Sequence, residues 1–312
     1  MNCLVTGTAG FIGSHLAEKL LELGHSVVGI DCFTDYYPRK IKENNLSSLK
    51  TNPQFKFIEA DLLKINLKDL LKDVQWIFHQ AAQAGVRSSW GKEFNIYVKN
   101  NIEATQHLLE SAKECSVEKF VYASSSSVYG DAKSYPTKED ALPRPLSPYG
   151  VSKLAAEHLC NLYCKEWGVP VVSLRYFTVF GPRQRPDMAF HRFIKAALKK
   201  EELIVWGNGE QSRDFTYVSD AVEANILAAN YGKNGEVYNV GGGCRATINQ
   251  VISILKELLG DLKVKYLEPQ KGDVKHTRAD ITKAKKELLF NPKVALKDGL
   301  KEEINWIKEQ IL

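Results

Sequence analysis

Tyr149 and Lys153 stand four residues apart in Tyr149-Gly-Val-Ser-Lys153, one turn on a helix, so both side chains leave the same face. A nearby ammonium favours the phenolate form of a tyrosine and pulls its pKa towards neutrality. Tyr149 is therefore a candidate acceptor for the proton of a secondary alcohol, with Lys153 as its electrostatic support. The competing reading of an i, i+4 pair is a solvated helix face. Chemistry is favoured by the hydroxyl-rich run Ser124-Ser-Ser-Ser-Val-Tyr-Gly130 shortly before it. Taking a hydride from the same carbon then needs an oxidant, and the N-terminal segment offers a place to hold one.

Residues 2–5 read as a buried strand, and Thr6-Gly7-Thr-Ala-Gly10-Phe11-Ile12-Gly13 leads into a helix with Ile12, Leu16, Leu20 and Leu23 on its apolar side. Gly7 would permit a tight turn, Gly10 would let backbone approach a pyrophosphate, and Gly13 would let helix and strand pack closely. The N–H groups of the first turn, at Phe11 and Ile12, would face the phosphates. Three glycines alone can be an ordinary surface turn. Here a strand precedes them, a helix follows, and the next strand, 26–30, ends in Asp31, placed to accept hydrogen bonds from an adenosine ribose. Cys32 rather than an arginine comes next, so NAD is expected over NADP. Asp61 and Leu62, after the strand 55–58, are candidate adenine contacts or simply a polar strand end.

Positioning these groups takes a large scaffold. At 312 residues the chain suits one large domain with a smaller lobe, and its 44% hydrophobic and 25% charged content is that of an ordinary globular protein. The net charge of +5 is spread out; Lys199-Lys200 and Lys283 to Lys286 sit in amphipathic stretches and read as solvated faces, so no nucleic-acid partner is expected. A mildly basic protein does suit an anionic substrate. The first strand starts at residue 2 and no apolar run reaches membrane length, so the expectation is a cytoplasmic protein with no membrane partner. The six cysteines are scattered; Cys160 and Cys164, with His158 nearby, lack the further ligands and the tighter spacing of a zinc site, and no metal is expected.

The spacing predicts strands at 2–5, 26–30, 55–58, 75–79, 119–123 and 170–175, and helices near 12–23, 93–114 and 149–167. This alternation implies an α/β fold, a Rossmann-type doubly wound parallel sheet with a smaller mixed α/β substrate-binding lobe. The pattern changes at Gly181-Pro-Arg-Gln-Arg-Pro186, beyond which helices are predicted near 189–199, 219–229, 248–259 and 296–311. The expected division is a NAD-binding domain of 1–175 with part of 213–245, and a nucleotide-sugar lobe of 176–212 and 246–312.

Taken together, the glycine motif, Asp31, His79-Gln-Ala-Ala82, Asn101, the serine run, Tyr149/Lys153, Leu174-Arg-Tyr176 and Gln211-Ser-Arg-Asp-Phe-Thr-Tyr-Val-Ser-Asp220 resemble the extended short-chain dehydrogenases/reductases, specifically their nucleotide-sugar epimerases and dehydratases. The likeness spans essentially the whole chain. Gly85-Val-Arg-Ser-Ser-Trp-Gly91 and the run from Arg175 to Arg192 are most similar to the branch that epimerises UDP-glucuronate.

The resemblance implies tightly bound NAD, held also by Ala81, Ala82, Gln83, Asn101, Tyr149, Lys153 and Tyr176. It implies that Ser125 pairs with Tyr149 at the reacting hydroxyl and that Ser126 and Ser127 approach the sugar. Thr178 stands where galactose-type epimerases carry asparagine, which argues for a carboxylate-bearing sugar held by Arg185 and Arg87. Arg213, Asp273 and Arg278 would contact the uridine diphosphate, while His191 is either a uridine-side contact or a helix-surface residue. Related dehydratases carry an Asp-Glu pair, and uronate decarboxylases a glutamate, where this chain has Ser126 and Ser127. Neither serine can supply the extra acid/base of an elimination. The implied activity is 4-epimerisation of UDP-glucuronate to UDP-galacturonate; the alternatives are a UDP-glucose/UDP-N-acetylglucosamine 4-epimerase and a UDP-glucuronate decarboxylase. A homodimer is also implied, through the helices near 93–114 and 149–167, with Leu108, Leu109, Leu154 and Leu159 either in that interface or in the core.

Overall fold

The computed structural model describes residues 1–270, 272 and 274–311. Short β-branched and aromatic runs form the strands β1 (Asn2–Thr6), β2 (Ser26–Asp31), β3 (Phe55–Glu59), β4 (Trp76–His79), β5 (Lys119–Ser125) and β6 (Val171–Tyr176). Between them lie α1 (Phe11–Glu22), α2 (Arg39–Asn45), α3 (Leu67–Leu71), α4 (Phe94–Tyr97), α5 (Ala104–Ala112) and α6 (Pro148–Trp167). The chain continues through β7 (Thr178–Phe180), α7 (Ala189–Leu198), β8 (Leu203–Trp206), β9 (Ser212–Tyr217), α8 (Val218–Tyr231) and β10 (Val237–Val240). It ends with β11 (Arg245–Thr247), α9 (Ile248–Leu259), β12 (Val264–Leu267), α10 (Thr282–Glu287) and α11 (Leu296–Ile311).

Seven strands make one parallel sheet in the order β10-β6-β5-β4-β1-β2-β3. The order reverses at β1, and such a switch point opens a crevice beyond the carboxyl ends of the strands. Register decides which residues meet there. Thr6 lies opposite both Ile30 and His79, and Ser125 lies opposite Tyr176, so the ends of five strands reach one edge together. The Rossmann-type sheet and the smaller mixed lobe are as the alternation of elements predicts. Helices cover both faces, burying Leu16 and Leu20 on one side and Leu108 and Phe120 on the other. Each such side chain contributes about 1.5–3 kcal/mol when fully buried. Leu108 and Leu109 are thus core residues, while Leu154 and Leu159 are half-buried against it.

A third apolar cluster, around Phe180, Phe190, Phe215 and Leu300, belongs to the smaller lobe. There β9 pairs with β7 in parallel and with β11 antiparallel, and β12 pairs with β8. Between β9 and β11 the chain returns to the large sheet through α8 and β10.

Two local departures matter for the site. The single helix predicted over 93–114 is interrupted by a π-helical segment, Val98–Glu103, between α4 and α5. Such a widened turn inserts a residue and rotates what precedes it, a deviation that periodicity alone does not expose. Helix α6 begins and ends where its sequence says: the Ser147 hydroxyl accepts the Gly150 N–H (3.1 Å), Pro148 opens the first turn, and Gly168 closes it in the left-handed conformation. That cap places Tyr149 in the first turn of α6 and Lys153 one turn deeper.

Candidate active site

The glycine turn leaves no room for side chains. Gly7 has φ of +68°, and a Cβ there would sit 2.8 Å from the Ala81 backbone; one on Gly13 would lie 2.2 Å from the Gly7 carbonyl. Gly10 caps α1 without any side chain, so the N–H groups of the first turn stay open to a ligand. The cavity they face is lined by Gly7, Gly10, Phe11, Ile12, Gly13, Asp31, Asp61, Leu62, Ala81, Ala82, Gln83, Tyr149, Lys153 and Tyr176. All but one of the residues expected at the cofactor converge here, and the cradle fits a dinucleotide: uncapped amides for the phosphates and a carboxylate for a ribose.

The exception is Asn101. Its side chain accepts the Gln83 N–H (2.7 Å) and donates to the Gln83 carbonyl (3.0 Å) and Ser152 Oγ (2.8 Å), so it acts through Gln83 from behind the cavity wall. The π-helical segment is what carries it there. His79, fully buried, lies between Thr6 Oγ1 (2.7 Å) and Thr105 Oγ1 (2.9 Å), and burial pushes its imidazole down to about 3, which keeps it neutral.

Asp31 accepts the N–H groups of Ala9 (3.1 Å) and Phe33 (2.8 Å); burial raises its pKa, while those bonds and the Lys42 charge oppose the rise. Lys42 corrects the premise that no cation stands beside Asp31. None follows it immediately in the chain, but α2 brings the Lys42 ammonium into the same cavity, where it donates to Thr34.

The candidate catalytic groups meet where β5 ends. The Ser125 hydroxyl acts on the Tyr149 phenol, and its Oγ accepts the Ser127 N–H (3.1 Å). A Cβ on Gly150 would lie 2.6 Å from the Ser127 carbonyl, so this glycine lets the first turn of α6 sit directly on the serine turn. Ser124 donates to Glu157 (2.6 Å), which is paired bidentately with buried Arg175 (2.6 and 3.0 Å), locking strand to helix.

Burial is the largest influence on Tyr149 and raises its pKa; the Ser125 hydrogen bond and the Arg185 charge pull it back. The sequence assigned that pull to Lys153. In the fold, Lys153 Nζ lies 4.5 Å from the centroid of the Tyr122 ring, and burial pushes the lysine itself down to about 8, against the opposing influence of Cys160 and Glu157.

A second cavity, about 670 Å³, opens between the sheet edge and the smaller lobe. Arg87, Thr178, Arg185 and Arg213 line it, as expected of substrate-binding groups. Trp206 and Arg192 line it too, and had no role assigned from sequence. The Arg87 and Arg192 guanidiniums each lie 4.2 Å from the Trp206 ring centroid, an aromatic platform carrying two cations. The signal was available: Arg192 closes the arginine-rich run that begins at Arg175.

Other expected substrate residues are placed elsewhere. Ser126 and Ser127 form a half-buried 3₁₀ turn and are not among the residues lining either cavity. Arg278, whose carbonyl accepts the Thr137 N–H (2.8 Å), lines neither cavity, and Asp273 lies outside the described residues. His191 is buried, with Nδ1 3.0 Å from the Gln184 carbonyl; it is not a helix-surface residue, and it lines neither cavity.

The loop carrying Arg185 is anchored through its first three residues. His15 Nε2 donates to the Pro182 carbonyl (2.9 Å), and Arg183 pairs with Glu18 of α1 (2.8 Å). From α11, Glu303 accepts the Gly181 N–H (2.9 Å). Arg185 itself pairs side-on with Asp187, Nε and Nη2 each 3.0 Å from a carboxylate oxygen. Among the described residues no helix is long and apolar enough to cross a membrane, and no cluster of three metal-ligating side chains occurs.

The profile of the NAD dependent epimerase/dehydratase family matches residues 3–241. At a TM-score of 0.97 and 49% identity, covering 99% of this chain and 100% of the other, the structure is similar to UDP-glucuronic acid 4-epimerase from Bacillus cereus in complex with UDP-glucuronic acid and NAD. The UDP-glucuronate 4-epimerase of Thermodesulfobacterium geofontis is 42% identical over 99% of this chain and 96% of its own. An uncharacterised UDP-glucose epimerase of Bacillus subtilis is 47% identical over 98% of each chain.

Proposed function

The chain belongs to the NAD dependent epimerase/dehydratase family, and from that premise we propose that it interconverts UDP-glucuronate and UDP-galacturonate by inverting C4 of the sugar. The observation that carries the choice of sugar is the position of Arg185, which lines both cavities and whose charge acts on the Tyr149 phenol. A guanidinium within reach of the reacting centre suits a sugar with a carboxylate two carbons from the reacting oxygen.

When bound in the glycine cradle, NAD supplies a reversible hydride acceptor for C4. Tyr149, helped by Ser125, takes the C4 hydroxyl proton and later returns it. Lys153 adds a positive charge beneath the site at neutral pH, since its pKa stands at about 8. The flat 4-keto sugar then presents either face, and the roomy second cavity suits its rotation. A 4-keto uronate is a β-keto acid. If its C5–C6 bond aligned with the carbonyl π orbitals, that bond would break, its electron pair would pass to the carbonyl oxygen as an enolate, and carbon dioxide would leave. Arg185, joined by Thr178, holds the carboxylate away from that alignment. Ser126 and Ser127 offer no acid/base for elimination.

A neutral hexose is the second reading, favoured by one observation: Asp187 already offsets the Arg185 charge. A proton NMR time course of the purified protein with UDP-glucuronate tests the choice. UDP-galacturonate should accumulate without carbon dioxide, and Tyr149→Phe should abolish the conversion. Turnover of UDP-glucose alone, or a pentose product, would replace this reading.

The same reading includes a cytoplasmic homodimer. It is supported by six free thiols and by the outward face of α6, where Val151 and Leu162 are exposed.

A further inference from the structure

Among the described residues, Tyr36 and Arg185 are the two that line both cavities. They come from different parts of the chain: Tyr36 from the loop between Asp31 and α2, Arg185 from the loop after β7. Asp187 joins them. Its Oδ2 accepts the Tyr36 hydroxyl (3.2 Å) and one arm of Arg185, and Oδ1 takes the other arm. Tyr36 is held in turn, its hydroxyl 3.3 Å from Ser88 Oγ, which lies 2.8 Å from the Tyr97 hydroxyl. The Tyr97 phenol is itself fixed by the carbonyls of Ala84 (3.0 Å) and Gly85 (2.9 Å). Gly85 is part of the fit, because a Cβ there would sit 2.3 Å from the Tyr36 hydroxyl.

The direction of the pairing is informative. Asp187 occupies the side-on edge of the guanidinium, Nε with Nη2. That leaves the end-on edge, Nη1 with the remaining hydrogen of Nη2, for a second planar carboxylate. An arginine on an exposed loop would otherwise sample many rotamers, and ordering it on binding costs affinity. With four-fifths of its side chain covered and one edge tied down, that ordering is already done.

We propose that Asp187, steadied by Tyr36, is the positioning residue that presents Arg185 end-on to the carboxylate of the sugar, and so sets the preference for uronates. The proposal rests on the uronate reading above. It also resolves the paradox of an anion beside an anion-binding group: Asp187 contributes through orientation, and its unfavourable charge is spread over Tyr36 and Arg185. The Tyr36 link ties the geometry of the sugar clamp to the loop that starts at Asp31, on the cofactor side.

The test compares affinities for UDP-glucuronate and UDP-glucose by titration calorimetry on NAD-loaded protein, in a Tyr149→Phe background so that neither sugar is turned over. Asp187→Asn should cut the preference for UDP-glucuronate by about tenfold, the scale of one charge-assisted hydrogen bond put out of register. Tyr36→Phe should lower it in the same direction by less. With Tyr149 intact, Asp187→Asn should also release more carbon dioxide per sugar epimerised, an effect that loss of general stability would not produce.

A preference that is unchanged or increased in Asp187→Asn would overturn the proposal, because a mere competitor for Arg185 strengthens uronate binding when removed. Should Asp187→Asn fail to fold, Tyr36→Phe decides alone: a reduced preference supports the proposal and an unchanged one ends it. Parent protein with no preference for UDP-glucuronate would instead remove the uronate reading, and this proposal with it.

Discussion

At the scale of single residues, the site works by burying groups that would rather be hydrated and then choosing their neighbours. Lys153 is the clearest case. Burial brings its pKa down from 10.5 to about 8, so its charge is present below that pH and lost above it. If the charge supports Tyr149 and the cofactor, kcat/KM should fall on the alkaline side with a limb near pH 8. Stability should move the other way. Between about 8 and 10.5 the unfolded chain holds more protons on this lysine than the folded one, so its contribution to stability rises with pH. Any thermal advantage of Lys153→Met over the parent should therefore shrink across that window. A pH-rate profile flat to pH 10 would show that the ammonium is not required.

At the scale of elements, the decisive feature is how closely the first turn of α6 approaches the serine turn. Helix propensity at Gly150 would favour alanine by about 1 kcal/mol. Contact with the Ser127 carbonyl forbids it, since that backbone oxygen cannot swing aside. Gly150→Ala should push Tyr149 away from Ser125 and lower kcat by about a hundredfold, as a small misplacement of a reacting group can. NAD content should be retained and the fall in Tm should be modest. An unimpaired kcat would mean that the close approach has no part in positioning the phenol. The π-helical segment illustrates the same principle from the other side of the cavity. Its extra residue turns Asn101 onto the Gln83 backbone, which a regular helix would not do.

At the scale of the whole molecule, the sheet brings the chemistry to one edge and leaves one face of α6 uncovered. Val151 is 47% exposed and Leu162 52%, on a helix whose opposite side is sealed in the core. If that face joins two copies, Leu162→Glu should halve the mass seen by light scattering while leaving the fold intact. A parent protein that is monomeric at every concentration would sink the idea. The scaffold itself was legible without coordinates, because its signals are local. Strand and helix periods, the glycine spacing and the one-turn separation of Tyr149 and Lys153 are all written within a few residues of chain. From these features the fold class and the NAD cofactor could be read and a candidate catalytic pair singled out. What the sequence did not contain is distance between loops. The stacking of Arg87 on Trp206 and the Arg185 charge acting on Tyr149 join segments far apart in the chain, while the Lys42 charge acting on Asp31 and the stacking of Arg192 on Trp206 depend on how neighbouring elements fold back. Only strand order and register decide which loops share an edge, and so only the tertiary structure could say which charges meet.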